Sequence, residues 1–399
     1  MFHVKQDFVC FGLTHPHLLC KTFCVPTLTQ KEGKYMSEKI NLNSRQLTLL
    51  LSNLLITKMT FSFPRILFKT SGNGAWIQAI YMSLLAYVLL WLSFRFFKYS
   101  GNKSILELSE SIGKKPLKIA VSVIVSIIII VHTATEMRTF LESAKIILLP
   151  RTKIEYMLIF FAATVLVGTL CGFNSLATIN ALFFPFCLFF LGILVLFLVP
   201  TYDINNLYPV FGTGLKNIFI RSIPDMHCFS DLLVLNLLLP YIGDIKLVKS
   251  CGTRAVIISG LSLIVICLAY GLTYPYPYST EFLLIPYQLS RMVRAGEYFQ
   301  RFEALFEFVW TLTHLLYAGL YVCILGIVFR KAFNLKATKS LMPGIVALLS
   351  LICFMPSSVV ELLDTSTRLK TLTAPFALLL PIVIPLIYKL KNNKKGGFL

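Results

Sequence analysis

Inside stretches built otherwise from Leu, Ile, Val and Phe, a few polar residues are placed where they could do chemistry. Thr57-Lys58-Met59-Thr60 interrupts the first apolar run, with Ser62 and Pro64 just beyond. A lysine in hydrocarbon is costly without a partner or water, so Lys58 reads as a charge-pairing or ligand-binding group. The sixth apolar run is interrupted in the same manner by Ser222, Pro224, Asp225, His227, Ser230, Asp231 and Asn236. Its proline removes a backbone donor and breaks the helical ladder. His132 and Glu136 stand four apart in the third run and so share one helical face. Glu136 has no partner of opposite sign on its own helix, and an intramembrane carboxylate suits water, proton or ligand contact. Arg138, Glu142 and Lys145 follow a second stripe, which reads as a structural ion network at the outer end. Trp310, His314, Tyr317 and Tyr321 fall on one face of the eighth run. Such a stripe is ordinarily packing, but the Tyr317 hydroxyl lies near mid-span and needs a partner, which makes it a pocket candidate. Arg301, Glu303 and Glu307 are expected to anchor the outer end of that helix.

These residues assemble no catalytic apparatus. There is no phosphate loop and no nucleophile–base set, and His132, His227 and His314 sit on different runs, so neither a shared metal nor a cofactor is expected. The ten cysteines contain no Cys-x-x-Cys spacing, and seven lie in or beside apolar runs, which suits buried, inert thiols. An enzyme is therefore the least favoured class. The chain carries 37 Lys and Arg against 18 Asp and Glu. In a soluble protein that excess would suggest nucleic acid. Here it lies mostly in short connections between apolar runs, where it sets topology, so no nucleic-acid partner is expected.

The elements that must position these residues follow from composition. The 399 residues are 56% hydrophobic and 14% charged, against roughly 45–50% and about 25% for soluble domains. Disorder and an ordinary soluble enzyme are excluded, and the runs lack the alternation of an outer-membrane barrel. A lipid membrane is the implied surrounding, and helices are the elements that satisfy their own backbone there. The expected fold is an all-α membrane protein of about ten transmembrane helices, at roughly 20 residues each. They fall near 44–67, 74–97, 117–147, 154–172, 176–199, 215–241, 253–273, 302–329, 340–356 and 372–390. Lys and Arg concentrate in the connections that this count places together on one side, with Arg368 and Lys370 on the other. That asymmetry puts both termini in the cytoplasm. Runs one and six occupy corresponding places in two halves of five, and interrupted helices so placed point to a five-plus-five inverted repeat with a central site. The connection 274–300 is expected to carry a short amphipathic helix over 288–299. Residues 1–35 read as an N-terminal extension without a fold of its own, with Met36 as a natural start. Residues 36–391 form the ten-helix domain, and 392–399 a cytoplasmic tail.

Four motifs carry a resemblance. They are Phe63-Pro64-Arg65 with Gly74-Ala75-Trp76-Ile77; Glu136-x-Arg138 with Glu142 and Lys145; Tyr202-Asp203-Ile204-Asn205-Asn206-Leu207-x-Pro209-Val210-x-Gly212-x-Gly214; and Arg301-Phe302-Glu303 with Trp310. Over about residues 40–391 the chain resembles the permease-like B subunits of nutrient germinant receptors, the spore germination protein B family. That family is similar to the amino acid–polyamine–organocation transporters. The resemblance implies a sensor of small nutrients, often amino acids, in the spore inner membrane, with an A subunit and a lipoprotein C subunit as partners. It implies a germinant pocket between spans one, three, six and eight. By matching position the pocket involves Thr57, Met59, Ile128, Ser230 or Asp231, and Tyr317, with Glu136 lining a polar path. One departure matters. Where relatives unwind span one at a small Gly-x-Gly run, this chain has Thr57-Lys58-Met59, and glycine's open backbone is lost. Lys58 either replaces those amides with a charge or fills the site itself. Asp231 either pairs with Lys58 or awaits a ligand's amino group.

Two functions follow as expectations. The first is a ligand-sensing receptor subunit, and the second a proton-coupled amino acid transporter with Glu136 and Lys58 as titrating groups. A water or ion conduit is a third.

Overall fold

The structure is a computed structural model, and it describes residues 40–59, 62–293, 302–335, 337–356 and 358–393. The expected N-terminal extension and most of the expected tail lie outside the described residues, as do Thr60 and Arg301.

The first apolar run forms two helices, α1 (Ser44–Met59) and α2 (Phe63–Ser71), where one would be drawn from hydropathy alone. Asn43 starts α1 by a reciprocal cap: its side chain accepts from the Gln46 amide at 2.8 Å, and the Gln46 side chain accepts from the Asn43 amide at 3.0 Å. Pro64 sits in the first turn of α2, where a missing N–H costs nothing. α3 (Ala75–Phe97) follows, then α4 (Ile105–Ile147). Ser104 and Glu107 form a capping box at the start of α4, and Glu107 also pairs with Lys331 at 2.8 Å. Non-helical dihedrals at Gly113 and Lys114 break α4 just before Pro116, which matches the predicted start of the third span near 117. α5 (Ile154–Cys171) and α6 (Phe173–Phe197) follow.

The sixth run is irregular throughout. A π turn (Asn217–Arg221) leads into a 3₁₀ stretch (Ile223–Leu232), and only then into α7 (Leu233–Ile242). α8 (Ile245–Thr273), α9 (Ile285–Met292), α10 (Phe302–Phe333), α11 (Met342–Cys353) and α12 (Val359–Asn393) follow. α9 begins and ends earlier than the expected amphipathic helix, and 294–301 lie outside the described residues. Eight helical segments among the described residues are long and apolar enough to cross a membrane. The other two expected spans are shorter: α1 has 16 residues before its break, and α11 has 12. The tenth expected span is the C-terminal part of a 35-residue α12.

The core is one continuous apolar cluster that draws on every long helix. α4 packs along α12 and α10, and α8 along α1 and α3, while the 3₁₀ stretch lies against α1 and α12. The Tyr202–Gly214 motif is a structural clamp. Asp203 caps the Asn205 amide, and the Asp203 amide and Asn206 side chain both donate to the Leu272 carbonyl. Farther on, the Thr213 amide and hydroxyl donate to the Ser71 and Thr70 carbonyls at 3.2 and 2.8 Å. The clamp thus holds the end of α2 against the entry to the sixth run.

Candidate functional site

Lys58 lies in the last turn of α1, beside the break. Its Nζ is 2.8 Å from Asp231 Oδ2, 2.9 Å from Ser230 Oγ and 3.1 Å from His132 Nδ1. An ammonium has three hydrogens and no acceptor, so the three neighbours divide them. Ser230 and Asp231 reach Lys58 because the 3₁₀ stretch carries them adjacently on a tight turn; Ser230 Oγ donates its own hydrogen to the His227 carbonyl at 2.6 Å. Asp231 takes a further hydrogen bond from the Tyr321 hydroxyl on its other oxygen.

His132 extends the network. Its Nδ1 accepts from Lys58, so the hydrogen-bond pattern assigns the ring proton to Nε2. Nε2 is 3.1 Å from Thr373 Oγ1, whose hydroxyl hydrogen goes to the Leu369 carbonyl at 2.9 Å. One turn along both helices, Glu136 meets Lys370 of α12 at 2.5 Å. Two rungs, His132–Thr373 and Glu136–Lys370, therefore join α4 to α12. Glu136 has no cation on its own helix, as expected, and its partner comes from a residue 234 positions away. Lys370, expected among the charges of the outer face, is 8% exposed and part of the interior. Lys58, His132, Glu136 and Asp231 are all 5% exposed or less, so this conformation holds the network shut from solvent. Its four charges cancel, which is what allows them to be buried.

The remaining expected residues surround this network unevenly. Ile128, one turn before His132 on α4, is buried, as is Met59. Thr57 belongs to a separate amide chain: its hydroxyl donates to Asn53 Oδ1 at 2.9 Å, and Asn53 Nδ2 donates to Asn180 Oδ1 at 2.6 Å. Tyr317 lies against Tyr321 with ring centroids 4.8 Å apart and the rings tilted by 59°, and its buried hydroxyl has no hydrogen-bond partner among the described residues. Arg138 pairs with Glu142 at 2.8 Å and donates to the Cys353 carbonyl at 3.4 Å, so two of the three residues of that stripe form the expected ion pair. Glu307 is corrected as well. It is fully buried, and among the described residues neither carboxylate oxygen has a partner, so it does not anchor a helix end. Residues that the sequence reading missed are Lys370, Thr373, Asn53 and Asn180. Lys370 and Thr373 stand i,i+3 near a run boundary, a weak signal that only the facing helix makes meaningful.

An all-helical membrane architecture, interrupted in its first and sixth runs with opposite charges meeting at the interruptions, defines a permease-like membrane protein. It is similar to a solved Na+-coupled sialic acid symporter in a substrate-bound, outward-open state, with a TM-score of 0.52 and 10% identity, covering 89% of this chain and 75% of that one. The chain belongs to the spore germination protein family of spore permeases, matched over residues 41–361. It is 24% identical to spore germination protein GerLB of Bacillus cereus over 378 residues, which cover 92% of this chain and 99% of that protein. It is 22% identical to spore germination protein B2 of Bacillus subtilis (strain 168) over 354 residues, covering 85% and 92%. The chain is thus a multi-pass membrane protein of the germination type.

Proposed function

We propose that this protein is the membrane-embedded subunit of a spore nutrient germinant receptor. A small, amino-acid-like germinant binds at the membrane midplane, between α1, α4, the 3₁₀ stretch and α10. The pocket residues are Thr57, Lys58, Met59, Thr60, Ile128, Glu136, Ser230, Asp231 and Tyr317. The observation that carries this reading is the Lys58–Asp231 pair at the two interruptions. A zwitterion offers one charge of each sign. Its carboxylate takes the place of Asp231 on Lys58, its ammonium takes the place of Lys58 on Asp231, and the unused Tyr317 hydroxyl supplies a further contact. A ligand moves a conformational equilibrium only by its differential affinity, and exchanging this pair for ligand contacts separates α1 from the 3₁₀ stretch. The resulting change passes to A and C receptor subunits in the spore inner membrane.

A second reading is a proton-coupled amino acid transporter. The symporter-like fold and the titratable chain through Lys58, His132, Glu136 and Lys370 favour it. One experiment separates the two. Purified protein is screened by thermal shift against amino acids, sugars and nucleosides, beside Lys58→Ala, and hits are tested for uptake into proteoliposomes. Binding to the native state raises the melting point by mass action. The receptor reading expects a hit that Lys58→Ala abolishes and no accumulation. Accumulation that collapses with the proton gradient establishes the transporter instead. A hit unchanged in Lys58→Ala removes the pocket from the break.

A further inference from the structure

A groove of about 430 Å³ opens sideways between α4, α5 and α10. Its walls are Phe140, Leu148, Tyr156, Phe160, Phe161 and Leu315, and polar surface is almost absent from it. Tyr156 and Phe160 are 58% and 75% exposed, so the groove faces outward from the bundle. All three wall helices are long and apolar enough to span a membrane, so the groove faces the bilayer. A water occupies about 30 Å³, and an apolar space of this size open to the bilayer calls for hydrocarbon.

Its ends fix the length of the occupant. Thr152, in the connection between α4 and α5, lines the upper end, and Thr164 of α5 the lower. At about 1.5 Å per helical residue this is a depth of roughly 15–18 Å. That is close to half of the ~30 Å hydrocarbon core, the reach of one leaflet. Charge fixes the head. Arg151 and Lys153 flank Thr152 and are both exposed, with the single acid Glu155 nearby on the first turn of α5. Two cations in three residues, set at the mouth of a leaflet-deep apolar groove, complement a phosphate diester above an acyl chain.

We propose that this groove binds one anionic phospholipid, with an acyl chain between α4, α5 and α10 and the headgroup phosphate on Arg151 and Lys153. The site lies directly behind the polar network. α4 carries His132 and Glu136 on its inner side, α10 carries Tyr317 and Tyr321, and Phe140 of the groove wall stacks on His314 of α10 at 4.8 Å.

The test is native mass spectrometry of the full chain, released from nanodiscs of phosphatidylglycerol or phosphatidylcholine. It compares the native protein with the double variant Arg151→Gln/Lys153→Gln and with Thr164→Trp, which fills the groove from an exposed position without touching the core. The native protein retains phosphatidylglycerol in preference to phosphatidylcholine. Removing two cations at an anionic surface lowers that retention by roughly 30-fold, leaving phosphatidylcholine unchanged. Thr164→Trp lowers retention of both lipids. Retention without headgroup preference, retention unaffected by both variants, or no retained lipid overturns the assignment. Unchanged helical circular dichroism in each variant shows that the loss is not one of folding.

Discussion

Lys370 of α12 and Glu136 of α4 meet at 2.5 Å in the interior of the bundle, and both side chains are 10% exposed or less. The contact gives α4 and α12 a fixed register, because Glu136 lies one turn beyond His132 and Lys370 one turn before Thr373, so both rungs form together or not at all. Deep in the bundle, Arg138 of α4 finds its counterion Glu142 on its own helix, whereas Glu136 finds its counterion on another.

Removing one member of the Glu136–Lys370 pair strands the other. Glu136→Ala and Lys370→Ala are each expected to destabilise by about 3–5 kcal/mol, the usual cost of an uncompensated buried charge. Glu136→Met/Lys370→Met is expected to recover most of that loss, because both charges leave together. Unfolding in mixed detergent and dodecyl sulfate measures all three. Additive single and double effects would show that the two residues act independently.

The His132–Thr373 rung carries a prediction about a proton position. With Lys58 donating to Nδ1, the ring is the Nε2–H tautomer, and nitrogen-15 chemical shifts of labelled histidine should show it. Thr373→Val removes the acceptor of that proton and should cost about 1–3 kcal/mol, the penalty of an unsatisfied buried donor. A Nδ1–H ring in the native protein would mean that Lys58 does not donate to it.

Much of this site was legible because it violates its surroundings. Lys58, Pro64, Pro224 and Asp231 are each anomalous in an apolar run, and the break between α1 and α2 and the 3₁₀ stretch lie where those anomalies fall. The pairings were legible only in part. Spacing rules along one helix find Arg138–Glu142, which is local, and the two interrupted runs suggest Lys58–Asp231 as one of two alternatives, but nothing in the sequence points to Glu136–Lys370, whose members meet only when helices distant in sequence pack. Asn53 and Asn180 give no signal because neutral amides are unremarkable alone, and here the Asn53 amide donates to the Asn180 carbonyl oxygen. Glu307 resembles a helix-end anchor only through its charged neighbours. It falls on the stripe of Trp310, His314, Tyr317 and Tyr321 at spacings of three and four, which already marked it as inward-facing.

Gly212 tests whether the loop motif is structural. It has φ +48°, and a Cβ there would run into the Ser71 carbonyl oxygen and crowd the Gly74 amide. Both the backbone conformation and the close approach require glycine. Gly212→Ala should destabilise by roughly 2–4 kcal/mol through strain and overpacking, while Gly214→Ala, where the Cβ meets open space, should cost less. Comparable losses at the two positions would show that φ alone matters, since Gly214 also has a positive φ of 108°.

Glu307 is buried with both oxygens unpartnered among the described residues, one turn before Trp310, whose ring stacks on Phe306 at 5.3 Å. Desolvating a polar group without a compensating hydrogen bond costs about 1–3 kcal/mol in proteins. Glu307→Leu, similar in size and apolar, should therefore raise the unfolding midpoint in detergent, and Glu307→Gln, which keeps the polar atoms, should raise it less or leave it unchanged. The functional readout separates stability from use. A stabilised Glu307→Leu that still supports germination in spores shows that the carboxyl is dispensable in the bundle. A stabilised variant that no longer germinates shows that Glu307 meets its partner only in another conformation, and a destabilised variant shows that the carboxyl is already satisfied in this one.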